Sequence, residues 1–203
     1  LQPGDAILVH AAGGAVGTAL LELGREMGLK VYGTASKGKH HLLQHFGATP
    51  IDYHKEDFVE RIARETGGQG VAAVFDTIGG KYWARSYRCV AKGENRVGFG
   101  ALQVTTGEEK IPSLLWGFFK LLVLWQLLPN GKQSGFYNIH TRRGKKPEEF
   151  KEDVATLMQW LKEGRLKPAI AGIRPLTDAA EVHRQLDKGE IAGKVILDCQ
   201  LTE

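Results

Sequence analysis

The chain has little cysteine. Cys89 and Cys199 are the only two in 203 residues, too few for a disulfide framework and wrongly spaced for a metal site, and a cytoplasmic, reducing setting is favoured. Histidine gives no metal signal either: His10, His40, His41, His45, His54, His140 and His183 are scattered without ligand spacing, so each reads as a surface or core residue. A strong charge excess is also missing. The formal charge of +4 is a mild basic bias, too small to argue for nucleic acid and compatible with solvated lysines and a pocket for an anionic ligand. There is no initiator methionine, basic leader or signal-peptide core before Leu1-Gln2-Pro3-Gly4-Asp5, so the numbering is expected to start inside a longer or processed protein. The last absence is local: no carboxylate occurs between Glu26 and Asp52.

Long hydrophobic runs are few, and one needs weighing. Ile111 to Leu128 is almost continuously apolar, but at roughly 18 residues it only reaches the lower limit for a membrane span. Lys120 at its centre would cost about 2.5–3.5 kcal/mol on insertion scales, so the segment is not read as transmembrane. A helix apolar all round is a buried helix, which leaves packing within the protein or between subunits, lining of a substrate pocket, or contact with a membrane surface.

What is present centres on Ala6-Ile7-Leu8-Val9-His10-Ala11-Ala12-Gly13-Gly14-Ala15-Val16-Gly17. The apolar run suits a strand buried on both faces, as in a parallel sheet. Val16, Ala19, Leu20, Leu23 and Met27 then repeat at helical spacing. Between them, Gly13, Gly14 and Gly17 let the backbone turn tightly and let an anion approach the amino end of the helix. The spacing fits the dinucleotide fingerprint G-x-G-x-x-G with Ala12 in place of its first glycine. Without its context the motif is equally a tight turn with no ligand; the flanking strand and helix supply the setting that the fingerprint requires.

Lys30 to Ala35 makes a second strand, completing a strand-helix-strand crossover. Binders of NAD place an acidic residue about 20 residues past the fingerprint, on the ribose hydroxyls. Here the corresponding turn reads Ser36-Lys37-Gly38-Lys39-His40-His41, with hydroxyl and cationic donors suited to a 2′-phosphate, which points to NADP. The absent acid also counts against another Rossmann binder such as a methyltransferase.

The remaining elements follow in order. Leu42, Leu43 and Phe46 mark a short helix, Thr49 to Tyr53 an edge strand, and Phe58, Ile62 and Ala63 a third helix. Val71 to Phe75 is a second doubly buried strand, and Asp76 in the loop after it either caps a helix or touches ligand. Trp83, Tyr87 and Val90 fall on a fourth helix; 93–96 reads as a turn, 97–101 as a strand, 133–139 as another, and 140–146 as a cationic loop. Pro147 opens a helix with Phe150, Val154, Leu157, Met158 and Leu161 on one face. Strand, helix and strand over 169–174, 177–188 and 194–198 close the chain, with Thr177 as helix cap.

In order and spacing, Pro3-Gly4-Asp5, Val9 to Gly17, Phe46-Gly47-Ala48, Phe75 to Gly79, Phe99-Gly100 and Gly193 to Leu197 resemble the nucleotide-binding half of the medium-chain dehydrogenase/reductase superfamily, in its zinc-independent quinone oxidoreductase (ζ-crystallin-like) branch. The resemblance implies an α/β Rossmann fold, a doubly wound parallel sheet with helices on both faces. Residues 1–165 would form the NADP-binding domain. Residues 166–203 would be the C-terminal strand-helix-strand segment of an otherwise missing GroES-like catalytic domain, packed on the fold or on a neighbouring chain in an improvised way.

It also implies a site. Gly14, Ala15, Val16 and Gly17 would lie under the pyrophosphate, Ser36, Lys39 and Tyr53 around the 2′-phosphate, and Ile78, Phe99, Gly100, Ala101, Phe136 and Asn138 near the nicotinamide. The second-strand turn is one residue shorter than the usual pattern, which bears on Ser36 and Lys39. No residue qualifies as an acid or base, so no catalytic residue is named. The expected activity is NADPH-dependent reduction of quinones or α,β-unsaturated carbonyls by hydride transfer, with a homodimer as the expected assembly and with little turnover by this portion alone. The alternative is a non-catalytic, membrane-associated scaffold of the vesicle amine transport type, in contact with membrane through 111–128.

Overall fold

Ile7 and Val9 project to one side of a strand and Leu8 to the other, and all three are buried; this alternation only works in a sheet covered on both faces. The computed structural model, which describes residues 1–98, 115–117, 119–120, 123–127, 129 and 131–201, builds that sheet. Side chains are described throughout except at 81, 94–98 and 126. The strands are β1 (Ala6–Val9), β2 (Lys30–Ala35), β3 (Thr49–Asp52), β4 (Val71–Asp76), β5 (Val90–Gly98) and β6 (Gln133–Phe136), in the order β3-β2-β1-β4-β5-β6. All pairings are parallel. The chain winds outward from β1 to β3, then returns to the other side of β1, so the order reverses between β1 and β4.

Helices α1 (Ala15–Glu26), α2 (His40–His45), α3 (Phe58–Glu65) and α4 (Lys81–Cys89) cover the two faces. On one face Ile7, Val9, Val31 and Ala35 pack with Leu21, Leu43 and Phe46. On the other, Leu8, Tyr32, Ile51 and Val74 pack with Phe58, Ile62 and Cys89. Each fully buried large side chain stabilises the fold by roughly 1.5–3 kcal/mol relative to exposure. Asp57 caps α3 with its carboxylate on the Val59 N–H at 2.7 Å.

Beyond β6 come α5 (Ile139–Lys145), α6 (Pro147–Lys162), β7 (Ile170–Pro175), α7 (Ala179–Asp187) and β8 (Lys194–Asp198). β7 and β8 pair in parallel as a separate two-stranded sheet. This unit docks on the turn after β1 and on α1. The Gly193 N–H donates to Gly13 O at 2.9 Å, the Lys194 ammonium to Ala15 O at 2.8 Å, and the Lys167 N–H to the buried Glu22 carboxylate. Arg165 pairs with Glu26 at 3.1 Å. Its outer apolar residues stay open, Ile173 at 57% exposure for example. The apolar side chains expected on α6 are likewise exposed, Val154, Leu157, Met158 and Leu161 among them.

Several expected boundaries are corrected. β5 begins at Val90, which is strand and not helix, and it continues through 93–96 because Gly93 takes a positive φ of 79° inside the strand and not in a turn between elements. Residues 140–146 are mostly helix α5, not loop: Asn138 accepts from the Thr141 N–H, and Arg142 pairs with Glu149 at 2.8 Å. This ends β6 at Phe136. A short 3-10 turn, Leu176–Asp178, leads into α7, so Thr177 is not its cap.

Candidate functional site

The reversal in strand order leaves a crevice at the carboxyl ends of β1 and β4, where the turn after β1 enters α1. Ala11 holds a positive φ of 50°, uncommon for a residue with a Cβ, and its carbonyl accepts from the Gly14 N–H at 3.0 Å. Gly14 is the N-cap of α1, and the first turn of that helix carries no acidic side chain. The amino end of α1 therefore faces outward with its positive partial charge unopposed. Gly17 has a different job. A Cβ there would lie 2.6 Å from Ala12 Cα, so its bare backbone lets α1 pack directly against the strand end.

The cleft beside this turn has a volume of about 420 Å³. Its walls are Ala11, Gly13 and Gly14 from the turn; Thr34, Ala35, Ser36 and Lys39 from the end of β2; Tyr53 and His54 after β3; Ile78 and Tyr82 after β4; and Lys188 and Gly189 from the end of α7. Lys39 lies along the turn: a Cβ on Gly13 would come within 2.6 Å of the Lys39 Cδ. Burial against it pushes the Lys39 ammonium below the ordinary lysine range. Burial also raises the Tyr53 phenol, with Tyr82 and Asp52 adding to the effect. Two cations and no carboxylate stand among the described residues of the wall.

Of the residues expected from the sequence, Gly14, Ser36, Lys39, Tyr53 and Ile78 meet in this cleft. Ala15 and Val16 form the first turn of α1 above it, with Val16 57% exposed. Phe136 and Asn138 are not in its wall. Phe136 packs edge-on against Trp83 at 6.4 Å, and Asn138 caps α5. Phe99, Gly100 and Ala101 lie outside the described residues. Asp76 caps no helix; its Oδ1 accepts from the Ile78 and Gly79 N–H groups at 2.9 and 3.3 Å, shaping the loop that carries Ile78. Sequence reasoning missed Thr34, His54, Tyr82, Lys188 and Gly189. Lys188 and Gly189 read locally as a helix end, and only the docking of the tail brings them here.

The glycine cradle and the carboxylate-free, cationic wall fit a dinucleotide phosphate. Gly13, Gly14 and the amino end of α1 would hold the pyrophosphate, and Ser36, Lys39 and Lys188 an additional phosphate. Among the described residues, no group of histidine, cysteine, aspartate or glutamate could hold a metal ion.

A doubly wound parallel sheet whose order reverses beside a glycine-rich turn defines a Rossmann-type α/β protein. More particularly, the chain belongs to the zinc-binding dehydrogenase family, whose model matches residues 46–197, and with it to the medium-chain dehydrogenase/reductase superfamily. It is 32% identical over 203 residues to the human synaptic vesicle membrane protein VAT-1 homolog, covering 97% of this chain and 51% of that protein. Among solved structures, a quinone oxidoreductase from Pseudomonas syringae superposes with a TM-score of 0.75 at 26% identity, over 97% of this chain and 57% of that one. A mycobacterial protein complexed with NADPH gives 0.75 at 26% identity, over 97% and 58%. The chain spans about half the length of the curated relatives it matches.

Proposed function

We propose that the cleft binds NADP(H) and that the chain is the cofactor-binding portion of an oxidoreductase that reduces quinones or α,β-unsaturated carbonyls. The observation that carries this is the pairing of the Gly13-Gly14 cradle with Ser36, Lys39 and Lys188 in one cleft whose described residues include no carboxylate. The nicotinamide, when bound, supplies the hydride. This chain's residues bind and orient: the backbone of the turn and the amino end of α1 take the pyrophosphate, and the half-buried Lys39 favours an added phosphate because a dianion offsets the desolvation that lowers its pKa. Tyr53 and Tyr82 add flat apolar surface to the same cleft, and Ile78, on the loop after β4, would face the nicotinamide side. Positioning is the protein's part of hydride transfer. The quinone oxidoreductase and the NADPH complex among the similar structures support this reading.

Isothermal titration of the chain with NADPH and with NADH tests it. Tighter binding of NADPH is expected; equal or tighter binding of NADH would sink the phosphate assignment.

One observation favours a second reading, a membrane-surface role. Leu115, Trp116, Phe119, Leu124 and Leu127 are exposed at 40–77%, with Trp116 and Phe119 stacked at 5.4 Å and Lys120 5.8 Å from the Trp116 ring. Aromatic and apolar groups beside a cation suit a lipid interface. Among the described residues, no helix is long and apolar enough to cross a membrane. Co-sedimentation with anionic liposomes decides this reading: it requires binding that Trp116→Ser and Phe119→Ser abolish.

A further inference from the structure

Beneath the cleft runs a chain of four buried polar side chains that the binding assignment leaves unused. Thr34, His10, Ser86 and Asp76 are 2%, 1%, 0% and 0% exposed. His10 Nδ1 lies 3.0 Å from Thr34 Oγ1, and His10 Nε2 lies 3.1 Å from Ser86 Oγ. Ser86 Oγ donates to Asp76 Oδ2 at 2.5 Å. The inventory of hydrogens orders these bonds. The Ser86 hydroxyl has one proton and gives it to Asp76, so Ser86 must accept from a proton on His10 Nε2. In a neutral imidazole, Nδ1 then accepts from the Thr34 hydroxyl. The far oxygen of Asp76 holds the Ile78 and Gly79 N–H groups.

The two ends of this chain differ in how firmly they are held. Thr34 sits within β2, paired with Ile51, and its carbonyl accepts from the Ala12 N–H at 3.0 Å; its wall is fixed by the sheet whether or not His10 is present. The loop 77–80 is not in a ladder. Gly79 and Gly80 take φ values of 95° and 52°, and the Asp76 carboxylate is the side chain that gathers its amides. Edge contacts of the His10 ring with Phe58 at 4.6 Å and Tyr82 at 6.1 Å hold the ring in plane with Thr34 and Ser86.

We propose that His10 is a positioning residue: a strut, protonated at Nε2, that transmits the fixed β2 wall through Ser86 and Asp76 to the loop carrying Ile78, and so holds the nicotinamide side of the cleft in register with its adenosine side. The proposal rests on the NADP(H) reading of the cleft and adds to it a residue that does not touch the ligand. It also accounts for a polar relay where apolar packing would serve stability equally well.

The test separates the two halves of the ligand. NADPH spans both walls, whereas adenosine 2′,5′-bisphosphate reaches only the β2 side. His10→Phe keeps a planar ring and removes both nitrogens; His10→Gln keeps an N–H near Nε2. Titration calorimetry is expected to show His10→Phe weakening NADPH about tenfold, the effect of one buried hydrogen bond, while the bisphosphate changes less than about twofold and His10→Gln recovers most of the loss. A purely structural role would lower the melting temperature and shift both ligands by the same factor, or neither, and that result overturns the proposal. Should His10→Phe fail to fold, the comparison is made with His10→Gln and Ser86→Ala, where an unchanged ratio of the two affinities again overturns it. Two-bond proton–nitrogen spectra of the unaltered chain read the ring directly: a proton on Nε2 is expected, and a ring protonated at Nδ1 alone refutes the strut. A chain that binds neither ligand defeats the nucleotide reading itself, whereas binding with an unchanged ratio defeats only the role of His10.

Discussion

Replacing Lys39 with methionine retains the stem that lies along Gly13 and removes the charge alone. A hydrogen bond to a charged group contributes about 1.5–3 kcal/mol. Lys39 is only partly withdrawn from solvent, and Lys188 remains on the same wall, so the lower end applies: about tenfold weaker binding of NADPH. NADH, which lacks the added phosphate, should change by less than about twofold. Stability of the ligand-free chain should move the other way. The folded protein bears the cost of partly desolvating the Lys39 ammonium, and a neutral thioether does not, so melting should occur at the same temperature or a degree or two higher, given roughly 2–4 °C per kcal/mol for a chain of this size. Calorimetric titration with both dinucleotides and a thermal melt without ligand suffice. Equal losses for NADPH and NADH would refute the placement of a phosphate beside Lys39, and a large fall in melting temperature would show that its charge holds the fold.

The lowered Lys39 pKa also sets a pH dependence. NADPH affinity should fall as pH rises through the folded-state pKa, beginning below the ordinary lysine value of 10.5, while the stability of the free chain rises over the same interval because the desolvated charge is lost; titrations and melts from about pH 7 to about pH 10 would show both limbs. Gly17→Ala should destabilise the chain by about 1–3 kcal/mol, since the new Cβ meets backbone that cannot yield, and an unchanged urea midpoint would show that α1 does not approach the strand end so closely. Burial pushes the Cys89 thiol up to about 12, whereas Cys199 is exposed. Ellman's reagent should therefore titrate one thiol in the native chain and two in guanidinium, and two fast-reacting native thiols would contradict the packing under α4.

The doubly buried strands were the most legible part of the chain. The apolar runs Ala6–Val9 and Val71–Phe75 have no other place to go than the middle of a parallel sheet, and a glycine turn between strand and helix has a narrow set of uses. Part of the cleft was legible for the same reason: Gly14, Ser36, Lys39, Tyr53 and Ile78 all lie at or just beyond the carboxyl ends of strands, where sheet topology gathers them. The misplaced boundaries came from residues whose local meaning is overruled by distant partners. Gly93 reads as a turn but sits inside β5, and the cationic run after Asn138 reads as loop until Glu149 pairs with Arg142. Lys188 was illegible in principle, because its place in the cleft depends on how the tail docks and on no local period. His10 was read, like the other histidines, only as a surface or core residue; its partners Thr34 and Ser86 come from β2 and α4, and no spacing rule connects them.

The bond from Lys194 to the Ala15 carbonyl has a consequence for the aim of the turn. A trans peptide is a rigid plane whose C=O and N–H point in opposite directions, so a carbonyl tethered on one side fixes the heading of the amide on the other. Lys194 holds the plane joining Ala15 and Val16, and the Gly193 N–H holds the plane joining Gly13 and Gly14. The last strand of the chain thus orients amides at its beginning. The Val16 N–H owes its compass bearing to a residue almost the whole chain away, the Gly14 N–H shares its own between that tail and the nearby Ala11 carbonyl, and a deletion in the loop before β8 would disturb both without altering the glycine turn.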